Sequence, residues 1–146
     1  MSVDDDIEMK DFLPYLLNQA GEEISMEFQR VYKERYGMLR TDWRVLFHLG
    51  RYGDLISSEI VRRSKLHKTK VSRAVSRLET KRFLVRREVP QDRRQEVLSL
   101  TPAGRAAYRD LSVVAQEYNQ RLWQGIDPED RARITRFLAD LAKLEG

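Results

Sequence analysis

Between residues 68 and 80 the chain reads Lys-Thr-Lys-Val-Ser-Arg-Ala-Val-Ser-Arg-Leu-Glu-Thr. Val71, Ala74, Val75 and Leu78 stand at i, i+3, i+4 and i+7, the buried stripe of an amphipathic helix. The opposite face then carries Thr69, Ser72, Arg73, Ser76, Arg77 and Thr80, with Lys68 and Lys70 at the helix start. Short hydroxyls and guanidinium groups, with no apolar residue left to be covered, suit base edges and phosphates. Arg forks onto guanine O6 and N7, while Ser and Thr meet base edges or phosphate oxygens. A second basic feature follows at Pro90-Gln91-Asp92-Arg93-Arg94-Gln95, a polar turn between the β-rich runs 84–89 and 96–100. That pattern predicts a hairpin with arginines at its tip. A narrow minor groove concentrates negative potential and attracts a guanidinium on such a projecting loop.

The charge distribution points the same way. Residues 62–94 hold thirteen Lys and Arg against three acids, a net +10 in a chain whose total is +4. One face therefore carries a positive field suited to a polyanion. A solvated charged surface accounts for the charge but not for its coincidence with the hydroxyl face and the hairpin. The chain has no cysteine, which excludes disulfides, thiolate catalysis, iron–sulfur clusters and cysteine redox sensing. His48 and His67 are too far apart in sequence to suggest a metal site, and no cofactor is expected. No carboxylate pairs with a histidine, a glycine-rich loop or a nucleophile at a spacing that suggests a reaction, so an enzyme is not expected. No apolar run approaches the roughly 18 to 20 residues of a membrane span. The acidic start Met1-Ser2-Val3-Asp4-Asp5-Asp6 lacks the pattern of a secretory signal, so the expectation is a cytoplasmic protein without membrane contact.

At 146 residues one domain is expected. Apolar residues at helical spacing predict a first helix over 9–36, stopped by Gly37. Thr41 is the expected cap of a second helix reaching Arg51, and Ser57 or Ser58 the cap of a short third. Leu66-His67 turns into the fourth, basic helix. After the hairpin, Thr101-Pro102 opens a fifth with Ala106, Ala107, Leu111, Val114, Ala115, Tyr118 and Leu122 inward. Asp127-Pro128 opens a sixth that buries Ile134, Phe137, Leu138, Leu141 and Leu144. The result is a mainly α, α+β chain in which 41–101 form a winged helix-turn-helix and 9–36 plus 102–145 form flanking helices. Those flanking helices carry more apolar stripe than so small a winged unit can cover, which predicts a symmetric dimer. Phe12, Leu13, Leu16, Tyr118, Leu122, Ile134, Phe137, Leu138 and Leu141 are its expected interface.

Three stretches carry a family likeness: Thr41-Asp42-Trp43-Arg44-Val45-Leu46; Lys68 to Arg73 with Leu78-Glu79; and Asp92-Arg93-Arg94 followed by Leu100-Thr101-Pro102-Ala103-Gly104. Through them the sequence, over roughly residues 10–145, resembles the MarR family of winged-helix regulators. The resemblance implies a homodimer on double-stranded DNA, acting as a ligand-responsive repressor, with the first, fifth and sixth helices of two subunits intertwined. It implies that a wing arginine enters the minor groove, either Arg94 or Arg93, with Asp92 orienting an arginine. It also implies a small aromatic or phenolic effector in a crevice between the dimerisation and DNA-binding parts. Tyr15, Trp43 and His48 are the crevice candidates, with core packing, dimer interface and solvent as rival places for Trp43, Tyr15 and His48. His67 departs from the small or acidic residue usual at the start of the recognition helix, so a different cap is expected there. The competing function is a winged-helix module for protein or RNA, which needs apolar or aromatic exposure near the wing. Pro, Gln, Asp and Arg stand there instead.

Overall fold

The computed structural model describes residues 6–144. The first five residues of the acidic start, and position 145 of the expected flanking helices, lie outside the described residues. A 3-10 turn at Met9–Asp11 leads into α1 (Leu13–Tyr36), α2 (Arg40–Tyr52), β1 (Leu55–Ile56), α3 (Ser57–Ser64), α4 (Lys68–Thr80), β2 (Leu84–Val89), β3 (Asp92–Leu100), α5 (Pro102–Leu122) and α6 (Pro128–Ala142). The strands form an antiparallel sheet in the order β1-β3-β2, with Leu55 opposite Leu98 and Leu84 opposite Leu100. This is a winged helix, the wing being the β2–β3 hairpin.

The stripe of α4 does what its spacing requires. Val71, Ala74, Val75 and Leu78 are buried with Val45, Leu46 and Leu49 of α2 and Ile60 of α3. Leu84 and Leu98 of the sheet, Ala107 and Leu111 of α5, and Tyr32 and Met38 complete the core. Ala106, expected inward, is exposed. Gly37 ends α1 in the left-handed region at φ 64°, where glycine carries no Cβ penalty, and its N–H donates to the Lys33 carbonyl at 2.8 Å. Tyr36 and Arg35 then tie α1 to α5: the Tyr36 hydroxyl donates to Asp110 Oδ2 at 2.6 Å and Arg35 Nη1 to Oδ1 at 3.0 Å. Burial, reinforced by Asp110, pushes the Tyr36 phenol up to about 12.

Several element boundaries differ from expectation for local reasons. α1 begins at Leu13, not Met9, because Pro14 sits in its first turn, where the missing N–H costs nothing. Thr41 is not the cap of α2; Asp42 reaches back instead, its Oδ2 accepting from the Leu39 N–H at 2.9 Å. Neither Ser57 nor Ser58 caps α3, whose cap position is Ile56, held extended by β1. The hairpin turn is shorter than expected. Val89 pairs with Asp92, leaving Pro90-Gln91 as the loop, so Asp92, Arg93 and Arg94 belong to β3. No residue of α6 is buried within the chain, contrary to the inward placement expected of Ile134, Phe137, Leu138 and Leu141, and Leu144 is exposed as well.

Candidate nucleic-acid interface

The basic helix α4 starts with an unusual cap. His67 Nδ1 accepts the Thr69 N–H at 3.1 Å, the role normally filled by Ser, Asp or Asn, and so fixes the first turn of α4. From that turn Lys68, Thr69, Lys70, Ser72 and Arg73 project as exposed side chains. Further along the helix the chemistry changes. Ser76 Oγ accepts from Arg86 Nη2 at 3.1 Å, which ties it to the wing. Arg77 departs from the outward placement its spacing predicts. Its Nε donates to Asp42 Oδ1 at 2.8 Å and its Nη2 to Thr41 Oγ1 at 3.0 Å, so its guanidinium is committed to α2. Asp42 is fully buried, and the two donors from Arg77 and Leu39 satisfy its carboxylate.

The wing meets the start of α4 at a groove of about 340 Å³ where Ser57, Ser58, Lys68, Ser72, Arg93 and Arg94 converge. Asp92 Oδ1 accepts from both the Arg94 N–H at 3.0 Å and Arg94 Nε at 3.2 Å, holding that side chain while leaving it 92% exposed. Arg93 is exposed beside it. Ser57 and Ser58 were readable only as caps. α3 has no side-chain cap, and its first residues Ser57 and Ser58 line the basic groove.

A larger cavity, about 550 Å³, lies between α1, α2 and α5. Trp43 lines it, with Phe28 edge-on at 5.0 Å between ring centroids and Tyr118 stacked on Phe28 at 6.5 Å. Arg40 and Arg44 flank Trp43 on α2, and Glu22 stands opposite on α1. Arg40 Nη1 donates to Glu22 Oε1 at 2.9 Å, which holds the Glu22 carboxyl below its usual range and raises Arg40. Burial raises the Tyr32 and Tyr118 phenols. Of the three crevice candidates only Trp43 is here. His48 lines a separate cavity of about 230 Å³ beside Tyr52, with Nδ1 at 2.6 Å from the Arg44 carbonyl. Tyr15 lines neither cavity, because the α1 wall begins beyond it at Leu17. The sequence signal that was available is the Arg40–Arg44 pair, one helical turn apart with Trp43 between them.

The MarR family model matches residues 36–95, from the end of α1 to the wing. A MarR-family transcriptional regulator from Silicibacter pomeroyi has a similar structure, with 28% identity, a TM-score of 0.76, and 94% of this chain and 90% of that one covered. Over residues 36–95, fewer than half of the chain, the protein is similar to the MarR family. It is similar to the transcriptional regulator FarR of Neisseria gonorrhoeae, 23% identical over 88% of each protein. Its fold is also that of Bordetella bronchiseptica BpsR, whose DNA binding is regulated by 6-hydroxynicotinic acid (TM-score 0.84, 22% identity, 96% and 99% coverage). The family-matched segment contains α4 and the wing, where the exposed basic residues converge. Among the described residues no helix is long and apolar enough to cross a membrane, and no cluster of acidic residues, cysteines or histidines could hold a metal.

Proposed function

We propose that the protein is a homodimeric repressor of transcription whose grip on duplex DNA is released by a small aromatic acid. In this reading residues 41–101 bind DNA and residues 9–36 with 102–145 pair the subunits. Lys68, Thr69, Lys70, Ser72 and Arg73 enter the major groove. Arg94, steadied by Asp92, reaches the minor groove with Arg93 beside it. The observation that carries the reading is the convergence of Ser57, Ser58, Lys68, Ser72, Arg93 and Arg94 on one groove at the start of α4. It aligns phosphate, base-edge and minor-groove chemistry on one side of the molecule. The apolar faces left open on α1 and α6 supply a surface for a second copy. The aromatic cavity with its two arginines supplies a place for an effector that moves one subunit's reading helix relative to the other.

Footprinting on DNA upstream of the protein's own and adjacent genes tests this, with and without 6-hydroxynicotinate and a panel of phenolic acids. The expected result is a protected pseudo-palindrome with half-sites about 34–36 Å apart, cleared by at least one acid. Protection of no site, or a footprint unmoved by every acid, counts against the DNA and effector parts respectively.

A further inference from the structure

Arg40 lines the Trp43 cavity with its guanidinium already engaged. Nη1 donates to Glu22 Oε1 at 2.9 Å, and Nη2 lies 3.5 Å from Gln29 Oε1. Glu22 is the only acid among the cavity's lining residues, facing the two cations Arg40 and Arg44. Arg44, one turn further along α2, has no ion-pair partner among the described residues. The cavity thus already contains a carboxylate seated on a guanidinium, and that carboxylate is 60% exposed and free to turn into water.

We propose that Glu22 is a built-in occupant of the effector's acid site: an aromatic acid places its ring against Trp43 and Phe28, and its carboxylate replaces that of Glu22 on Arg40. The proposal rests on the reading of this cavity as the effector site. Glu22 holds Nη1 and Gln29 lies beside Nη2, and a second carboxylate brought onto the same guanidinium is repelled by the first. Entry of an acid therefore turns Glu22 outward, and the new pair takes over the lost one. A neutral ligand brings no replacement charge and leaves the Glu22–Arg40 pair in place. Glu22 acts as a specificity-determining residue: it lowers the site's affinity for acids alone, so only an acid that binds Arg40 more strongly than Glu22 does occupies the site. Because Arg40 holds the Glu22 carboxyl below its usual range, the pair persists at neutral pH.

The test compares 6-hydroxynicotinate with its neutral amide, following Trp43 fluorescence in a background where Trp123→Phe removes the other indole. Glu22→Gln keeps the side chain's shape and removes the competing charge. Because partly exposed ion pairs are weak, the acid is expected to bind about two- to fivefold more tightly to this variant, with the amide unchanged. Arg40→Gln should erase the preference for acid over amide, and Arg44→Gln should retain it. If Glu22→Gln leaves acid binding as it was, or tightens acid and amide alike, the proposal is overturned. A preference lost with Arg44→Gln and kept with Arg40→Gln overturns it too, by placing the acid one turn away. Failure of the wild-type protein to bind either the nicotinate or any acid of the phenolic panel removes the effector reading itself, and the Glu22 proposal with it.

Discussion

Arg73 and Arg77 lie one turn apart on α4, and the structure gives them different tasks. Arg73 is exposed at the front of the helix, whereas Arg77 is locked to a carboxylate with no exposed surface. Removing Arg77 therefore strands Asp42 in the core with only the Leu39 N–H for company. Arg77→Ala should cost about 2 to 3 kcal/mol of folding stability in a urea titration. Arg73→Ala should change stability by no more than about 0.5 kcal/mol. It should instead weaken DNA binding by about 1 to 3 kcal/mol, the worth of one forked contact to guanine. Equal stability losses in the two variants would show the assignment to be wrong. Sequence spacing placed both arginines on the polar side of one helix, which is all that periodicity can report. That Asp42 crosses behind Arg77 depends on a pairing 35 residues apart, and no local pattern carries it. The same limit holds for Trp43 and His48, which line different cavities, and for Tyr15, which lines neither, because the walls are built from several elements.

Among the elements, the legible ones carry their own start signals. Thr101 Oγ1 accepts the Gly104 N–H at 3.0 Å and Asp127 Oδ1 the Glu129 N–H at 2.9 Å, each with proline just inside the helix. Where the signal was ambiguous the long-range partner decided. β1 was not foreseen because two residues become a strand only by pairing with Val97 and Leu98. Its formation then fixes where α3 starts and displaces Ser57 from the cap. Gly104 shows how closely α5 must approach the turn between α4 and β2. A Cβ built there would lie 2.0 Å from the Phe83 carbonyl oxygen, and that obstacle is backbone, which cannot rotate away. The approach lets Thr101 also bond the Arg82 carbonyl at 2.6 Å, locking the wing's base to α5. Gly104→Ala should destabilise the protein by about 3 kcal/mol, at the upper end of ordinary overpacking. Thermal unfolding checks it, and a variant that melts with the wild type would mean α5 can slide away from the wing freely.

At the scale of the whole molecule, the winged unit buries its core within one chain, whereas the flanking helices leave apolar side chains exposed. Leu13 and Leu16 of α1 and Ile134, Phe137, Leu138 and Leu141 of α6 are 37–50% exposed, at helical spacing, in a continuous pattern that water does not favour. Phe12 and Leu122 are exposed at comparable levels and Tyr118 is half-buried. The sequence showed these stripes, but the helical pattern alone could not say whether their cover came from the same chain or another. Introducing a charge at the centre of the α6 stripe separates the two. Phe137→Glu should sediment as a monomer at micromolar concentration while keeping the helical content of the wild type, because Phe137 is half exposed and no residue of α6 is buried within the chain. Its recognition helix is intact, so any loss of DNA binding reports the loss of the second reader. Two linked half-site contacts raise affinity by about 10²–10⁴ over one, and the monomer should forfeit that factor. The salt dependence gives an independent measure. Each neutralised phosphate adds about −0.9 to the slope of log K against log salt. A monomer that grips one half-site should therefore show about half the wild-type slope. A wild-type protein that already sediments as a monomer, or a variant whose slope is unchanged, would mean that one chain supplies all the phosphate contacts and that the open faces of α1 and α6 serve something other than pairing.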